Sequence, residues 1–194
     1  MFIKALRDII TPDCEVINFH NEKFVYPIFK NGRSSLTIYA NKNKLSFLRN
    51  EEISHVKKIT VFLRPAKERF LSGVHTFFYL HKNQLIDDST LKKIESFDII
   101  DRHFVPQYYW LYHLFKYYDG IIELKPVEEL YKWIPNRDGP WSGNASVWKP
   151  LTKEIKDKIL SIEHKKYIEV DEKIIGAYMN QSVQLKKIIA EFKI

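Results

Sequence analysis

Residues 30 to 35 read Lys-Asn-Gly-Arg-Ser-Ser, which places two cations, a glycine and two hydroxyls in one short segment. That grouping suits a bound phosphate or sulfate. Lys30 and Arg33 supply charged donors and Ser34 and Ser35 supply hydroxyls, while Gly32 permits a tight turn and close approach of backbone to ligand. An apolar, β-favouring run, Phe24 to Phe29 (FVYPIF), leads in, and LTIYANKNKL follows as a helix. The expected unit is strand, turn, helix, with the helix N-terminus offering backbone N–H groups and the positive end of its dipole to an anion. An ordinary serine-capped helix after a turn has the same local sequence. The G-x-x-x-x-G-K-[ST] loop of nucleoside triphosphate sites is absent.

Two more segments carry chemistry. VFLRPAKERFLSG puts Arg64 at the end of a strand-like run, with Pro65 at a natural first helical position and Arg69 and Ser72 three apart on one helical face. Arg64 and Ser72 are thereby able to converge on one anion, the guanidinium giving planar paired donors. DRHFVPQ, from Asp101 to Gln107, carries His103, a side chain that titrates near neutral pH.

The elements that must position these groups alternate. VKKITVFL ends in a strand, AKERFLSGVHTFFYL is helical, and TLKKIES is a weaker helix. Pro106 opens an aromatic helix, QYYWLYHLFKYY, before a short strand, IIEL, and a further helix, PVEELYKW. After a turn-rich stretch, IPNRDGPWSGNAS, the remainder is helical, most clearly at EIKDKILSI and SVQLKKIIAEF. No repeat or Gly/Ser linker intervenes. The expectation is a single α/β domain over residues 1–194, with a central, mostly parallel sheet flanked by helices. Pro27 marks its run as an edge or bulged strand.

Composition sets outer bounds. The chain has 194 residues, 45% hydrophobic and 28% charged, an ordinary globular balance. Its formal charge of +7 favours anionic partners, although a lysine-rich solvated surface produces the same number. Cys14 is the sole cysteine, which excludes an intramolecular disulfide and a thiolate metal cluster. MFIKALRDII has no signal-peptide core, and no apolar run approaches the roughly 20 residues that span a bilayer. A soluble, cytoplasmic protein without a transmembrane segment is expected.

YPIFKNGRSSL resembles the 5′-phosphosulfate loop of sulfotransferases that use 3′-phosphoadenosine 5′-phosphosulfate (PAPS), and VFLRPAKERFLSG resembles their 3′-phosphate segment, R-D-P-x-x-R-F-x-S. Pro65 and Ala66 stand where the family shows Asp-Pro, which loses a capping carboxylate but keeps both phosphate ligands. DRHFVPQ resembles the D-x-H-W-x-P-Q signature of the carbohydrate sulfotransferases, with Phe104 in place of Trp. Similarity to the family continues through YDGIIELKPVEELYKWI and the Asn-Ser-like loop to about Ile175.

The resemblance implies a P-loop-like sulfotransferase fold and transfer of a sulfuryl group from PAPS to an acceptor hydroxyl, a glycan's being favoured. It implies that Lys30, Asn31, Gly32, Arg33, Ser34 and Ser35 hold the 5′-phosphosulfate and that Arg64 and Ser72 hold the 3′-phosphate of PAPS and of the product, adenosine 3′,5′-bisphosphate. Arg69 is structural or a weaker ligand. Lys30 would stabilise the bridging oxygen as it leaves. His103 is either the base that deprotonates the acceptor or a structural histidine bonded within its turn, with His75 and Glu22 in reserve. The aromatics Tyr108, Tyr109, Trp110, Tyr112, Phe115 and Tyr117 are expected in the core, and Trp141 and Trp148 nearer the acceptor. Residues 83–98 and 135–148 are the expected walls of the acceptor pocket. No residue set suggests a metal. The rivals are a nucleotide-binding phosphotransferase and a non-catalytic module for a polyanion, with nucleic acid the less favoured partner.

Overall fold

A computed structural model describes residues 14–19, 22–28, 30–81, 86–134, 152–162 and 165–180. Five strands form one sheet: β1 (Glu15–Phe19), β2 (Lys23–Val25), β3 (Ser46–Arg49), β4 (Lys58–Leu63) and β5 (Ile121–Pro126). The helices are α1 (Arg33–Lys42), α2 (Ala66–His81), α3 (Asp88–Glu95), α4 (Gln107–Leu114), α5 (Lys153–Leu160) and α6 (Lys165–Asn180). Short 3₁₀ turns cover Asn50–His55 and Val127–Lys132, the second replacing the α-helix expected after Pro126.

The sheet order is β3-β1-β2-β4-β5. β2–β4 and β4–β5 are parallel, whereas β1 pairs antiparallel with both β2 and β3. The sheet is therefore mixed, which corrects the mostly parallel one expected. The cause is local. Phe19 pairs with Lys23 across a three-residue connection, too short for anything but a hairpin, and Glu22 takes a left-handed φ of 57° there. β3 then returns from α1 to pair with the outer side of β1.

β2 is shorter than the apolar run FVYPIF suggests. Tyr26 N still donates to Thr60 O at 3.0 Å, but Pro27 has no N–H to give and the ladder stops. Helices cover both faces, as the alternation along the strands requires. Val16, Ile59, Val61 and Leu63 pack with Tyr109, Trp110, Leu111 and Leu114 of α4. Ile17, Phe19, Val25 and Phe62 point the other way, onto Leu36 and Ala40 of α1 and onto Leu130. A third cluster is helical, with Phe70, Val74 and Phe78 of α2 against Ile94, Phe104, Ile159 and Tyr167.

Tyr108, Tyr109 and Trp110 are buried, while Tyr112 is exposed at the solvent side of the same helix. Trp141, Trp148, all of 135–148 and SVQLKKIIAEF lie outside the described residues. Of 83–98, the described part is mostly α3, whose Leu91 and Ile94 are buried in the helical cluster. No helix among the described residues is long and apolar enough to cross a membrane.

Candidate functional site

In sheets with parallel strands, ligands gather beyond the strands' carboxyl ends. The Lys30 loop follows β2 and Arg64 follows β4, and these two strands are parallel neighbours, about 4.8 Å apart by ordinary sheet geometry. Both cationic segments thus lie at one edge of the sheet. The carboxyl ends of β2 and β4 also deliver the chain directly into α1 and α2, so two helix N-termini open onto this edge.

The loop backbone is unusual. Lys30 has φ 66° and Gly32 has φ 85°, so two residues in three sit in the left-handed region. For lysine that conformation is uncommon and carries strain, whereas Gly32 adopts it without a Cβ penalty. A Cβ at Gly32 would also come within 2.4 Å of Leu130 Cδ2. Gly32 is the N-cap of α1 and its carbonyl accepts from Leu36 N at 2.9 Å, but no side chain caps the helix. Neither Ser34 nor Ser35 serves as the cap, contrary to the serine-capped alternative.

Lys30 Nζ donates to Thr76 Oγ1 at 2.7 Å, and Thr76 Oγ1 donates to the carbonyl of Ser72 at 2.8 Å. This joins the loop to α2 one turn beyond Ser72. Burial, together with the charges of Arg64 and Arg69, lowers Lys30 to about 8. His75 on the same helix is also lowered, by burial and then by Lys30, so its imidazole is neutral at neutral pH. These couplings bring Lys30, Arg64, Ser72, His75 and Thr76 into one neighbourhood. Thr76 was not expected from the sequence, although its i+4 spacing from Ser72 placed it on the right face.

Arg33 opens α1 and lies 3.8 Å from Glu15, which also holds Arg49 at 2.7 Å. Ser34 is exposed and Ser35 half-buried. Arg64 is 3.5 Å from Glu68, and about a third of its side chain is open to solvent. Asn31 turns inward. Its side chain is 1% exposed, donating to Phe62 O at 2.9 Å and to Gln107 Oε1 at 2.5 Å, and its backbone N–H goes to Ile28 O. Of the loop residues it is the one that secures the loop to the interior.

Arg69 is buried, bonded through Nη1 to the carbonyl of Val105 and coupled to buried Asp171 of α6. That is the structural role. His103 Nδ1 lies 2.5 Å from Asp101 Oδ1, which also accepts from His103 N at 2.8 Å. Burial disfavours the Asp101 carboxylate, but these His103 hydrogen bonds outweigh it and hold its carboxyl below the ordinary value. Nδ1 is thus the ring nitrogen of His103 engaged by the carboxylate. The same contacts fix the turn, which is the structural role of the two expected. The turn rests on α2 at Gly73, where a Cβ would come within 2.3 Å of His103 O. Glu22 sits at the opposite end of β2 from Lys30, away from this edge.

A shallow depression of about 430 Å³, lined by residues including Phe19, Glu22 and Lys44, also lies at that opposite end. It shares no residue with the cationic neighbourhood.

No protein-family model, curated protein or solved structure matches the chain.

The lowered Lys30 gives a testable signature. A bound dianion would offset the repulsion from Arg64 and Arg69 and raise Lys30 above its free value of about 8. Between the free and bound values, binding takes up a proton, so affinity should fall as pH rises past about 8. Calorimetry of inorganic phosphate binding at pH 8.5 (roughly, just above the free Lys30 value) in buffers of different ionisation enthalpy should report that uptake. Identical heats in all buffers would contradict it.

Proposed function

We propose that the chain is a sulfotransferase that moves a sulfuryl group from PAPS to an acceptor hydroxyl, on a glycan by preference. The observation that carries this reading is the adjacency of the Lys30 loop and Arg64 beyond two parallel strands, with Lys30 tied to the Ser72–Thr76 turn. A nucleotide with an anion at each end requires two cationic subsites at a fixed separation on one edge. The donor set fits such a molecule: the α1 N-terminus, Lys30 and the hydroxyls of Ser34 and Ser35 at one end, and Arg64 and Ser72 at the other. In this reading the fold is the P-loop-like sulfotransferase arrangement.

The acceptor oxygen attacks sulfur while the bond from sulfur to the bridging phosphate oxygen breaks, and the electron pair leaves on that oxygen. The chain's part is to position and to neutralise. Lys30 faces the charge that develops on the departing phosphate. His103, held by Asp101, is the proposed recipient of the acceptor proton.

The reading predicts nucleotide choice. Because Arg64 and Ser72 address a 3′-phosphate, adenosine 3′,5′-bisphosphate should bind more than about tenfold tighter than AMP, one charge-assisted hydrogen bond contributing about 1.5–3 kcal/mol. Calorimetry with the two nucleotides measures this. Equal affinities would remove the 3′-phosphate assignment, and salt-sensitive binding of any polyanion without nucleotide preference would favour the non-catalytic module.

A further inference from the structure

Gln107 is completely buried at the first position of α4, and its side chain is saturated with partners. Oε1 accepts from Asn31 Nδ2 at 2.5 Å and from Arg64 N at 2.9 Å, while Nε2 donates to Arg64 O at 2.9 Å and, more weakly, towards Asp171 Oδ2 at 3.4 Å. The amide thus pairs with both backbone groups of Arg64 as a neighbouring strand would, extending the ladder one residue past the end of β4. Reversing the amide would set Nε2 against two donors and Oε1 against two acceptors, so this orientation is fixed. Asn31 is fixed in the same way. Its Nδ2 has two acceptors, Phe62 O and Gln107 Oε1, which a reversed amide would face with an oxygen.

The backbone of Gln107 is held from the far side. Asp171 of α6 accepts from Gln107 N at 2.7 Å and from Tyr108 N at 2.9 Å, so it caps α4. One buried side chain therefore joins the loop after β2, the chain after β4 and the start of α4. It is a direct side-chain link between the Lys30 loop and the Arg64 backbone.

We propose that Gln107 is a positioning residue that sets the separation between the Lys30 loop and Arg64, and thereby the site's preference for a nucleotide carrying phosphate at both the 5′ and 3′ positions. This rests on reading the two segments as subsites of one nucleotide. Gln107 does not reach the ligand. It acts through the Arg64 backbone on one side and through Asn31 on the other, and a bidentate ligand reports that separation while a singly phosphorylated one does not. AMP, which engages the Lys30 loop alone, does not sense that separation, so the ratio of the two affinities reports the link.

The test compares affinities for adenosine 3′,5′-bisphosphate and AMP in the full chain, in Gln107→Met and in Asn31→Ala. Gln107→Met keeps side-chain length and removes the side-chain polar contacts, leaving the backbone bond to Asp171. Asn31→Ala cuts one arm and leaves the Asp171 cap of α4 in place, so it decides the matter if Gln107→Met does not fold. In a folded variant the bisphosphate preference over AMP should shrink from more than about tenfold to less than about threefold. A purely structural role would lower the melting temperature and leave the ratio intact, and that result overturns the proposal. If the unaltered chain shows no bisphosphate preference, the nucleotide reading itself fails and takes this proposal with it. A normal preference in the unaltered chain that persists in folded Gln107→Met, or in Asn31→Ala, refutes the positioning role alone.

Discussion

Replacing Lys30 by alanine should lower turnover by about 10²–10³ while leaving nucleotide affinity within about tenfold. Charge on the departing phosphate oxygen grows toward the transition state, so a donor facing it contributes more to rate than to ground-state binding. The structure supports the asymmetry. Lys30 Nζ is bonded to Thr76, and its charge is opposed by burial and by Arg64 and Arg69. Removing it relieves that repulsion, which offsets part of the lost attraction for the nucleotide. The α1 N-terminus, Arg33 and the two serines remain for binding. Steady-state kinetics with a working acceptor, beside calorimetry on the same variant, separates the two effects. Full activity in Lys30→Ala would mean that the proposed mechanism is wrong.

Asp171→Ala should destabilise the fold by at least about 2 kcal/mol, since each buried donor left without an acceptor costs about 1–3 kcal/mol. Asp171 is 2% exposed, accepts from two N–H groups of the first turn of α4 and is the carboxylate that supports the charge of Arg69, itself 1% exposed. Alanine would leave those N–H groups buried without that acceptor; burial raises the Asp171 carboxyl, so the loss comes chiefly from these hydrogen bonds. Urea denaturation monitored by tryptophan fluorescence suits the measurement, since Trp110 lies in α4. A loss under about 1 kcal/mol would show that the cluster relaxes or hydrates when opened.

The difference between expected and observed sheets comes down to particular strands. FVYPIF, VKKITVFL and IIEL are apolar runs bounded by proline, glycine or charge, and they correspond to β2, β4 and β5, the mutually parallel set. EVINF and SFLR escaped notice because each is short and mixes charge or polar residues into its apolar pattern. β1 makes both antiparallel pairings of the sheet, with β2 and with β3, so a reading that lacks these two strands looks parallel.

The site divides in a similar way. Lys30, Gly32, Arg64 and Ser72 were legible because the loop and the strand-to-helix junction are local patterns, and topology then brought them together. Asp171 was not. It lies 64 residues from Gln107 and acts through backbone donors that no periodicity marks. Gln107 stood within a recognisable segment, but its pairing with Arg64 becomes visible only when α4 is placed against the end of β4. Asn31 sat among presumed anion ligands, yet its side chain faces inward because Phe62 O and Gln107 Oε1 wait there.

If one nucleotide spans the Lys30 loop and the Arg64 strand end, a crystal structure with adenosine 3′,5′-bisphosphate should show it in both places. The 5′-phosphate should lie against the α1 N-terminus, with Lys30, Ser34 and Ser35 in contact. The 3′-phosphate should then meet Arg64 and Ser72. A nucleotide bound elsewhere, or with its 3′-phosphate away from both Arg64 and Ser72, would contradict the account.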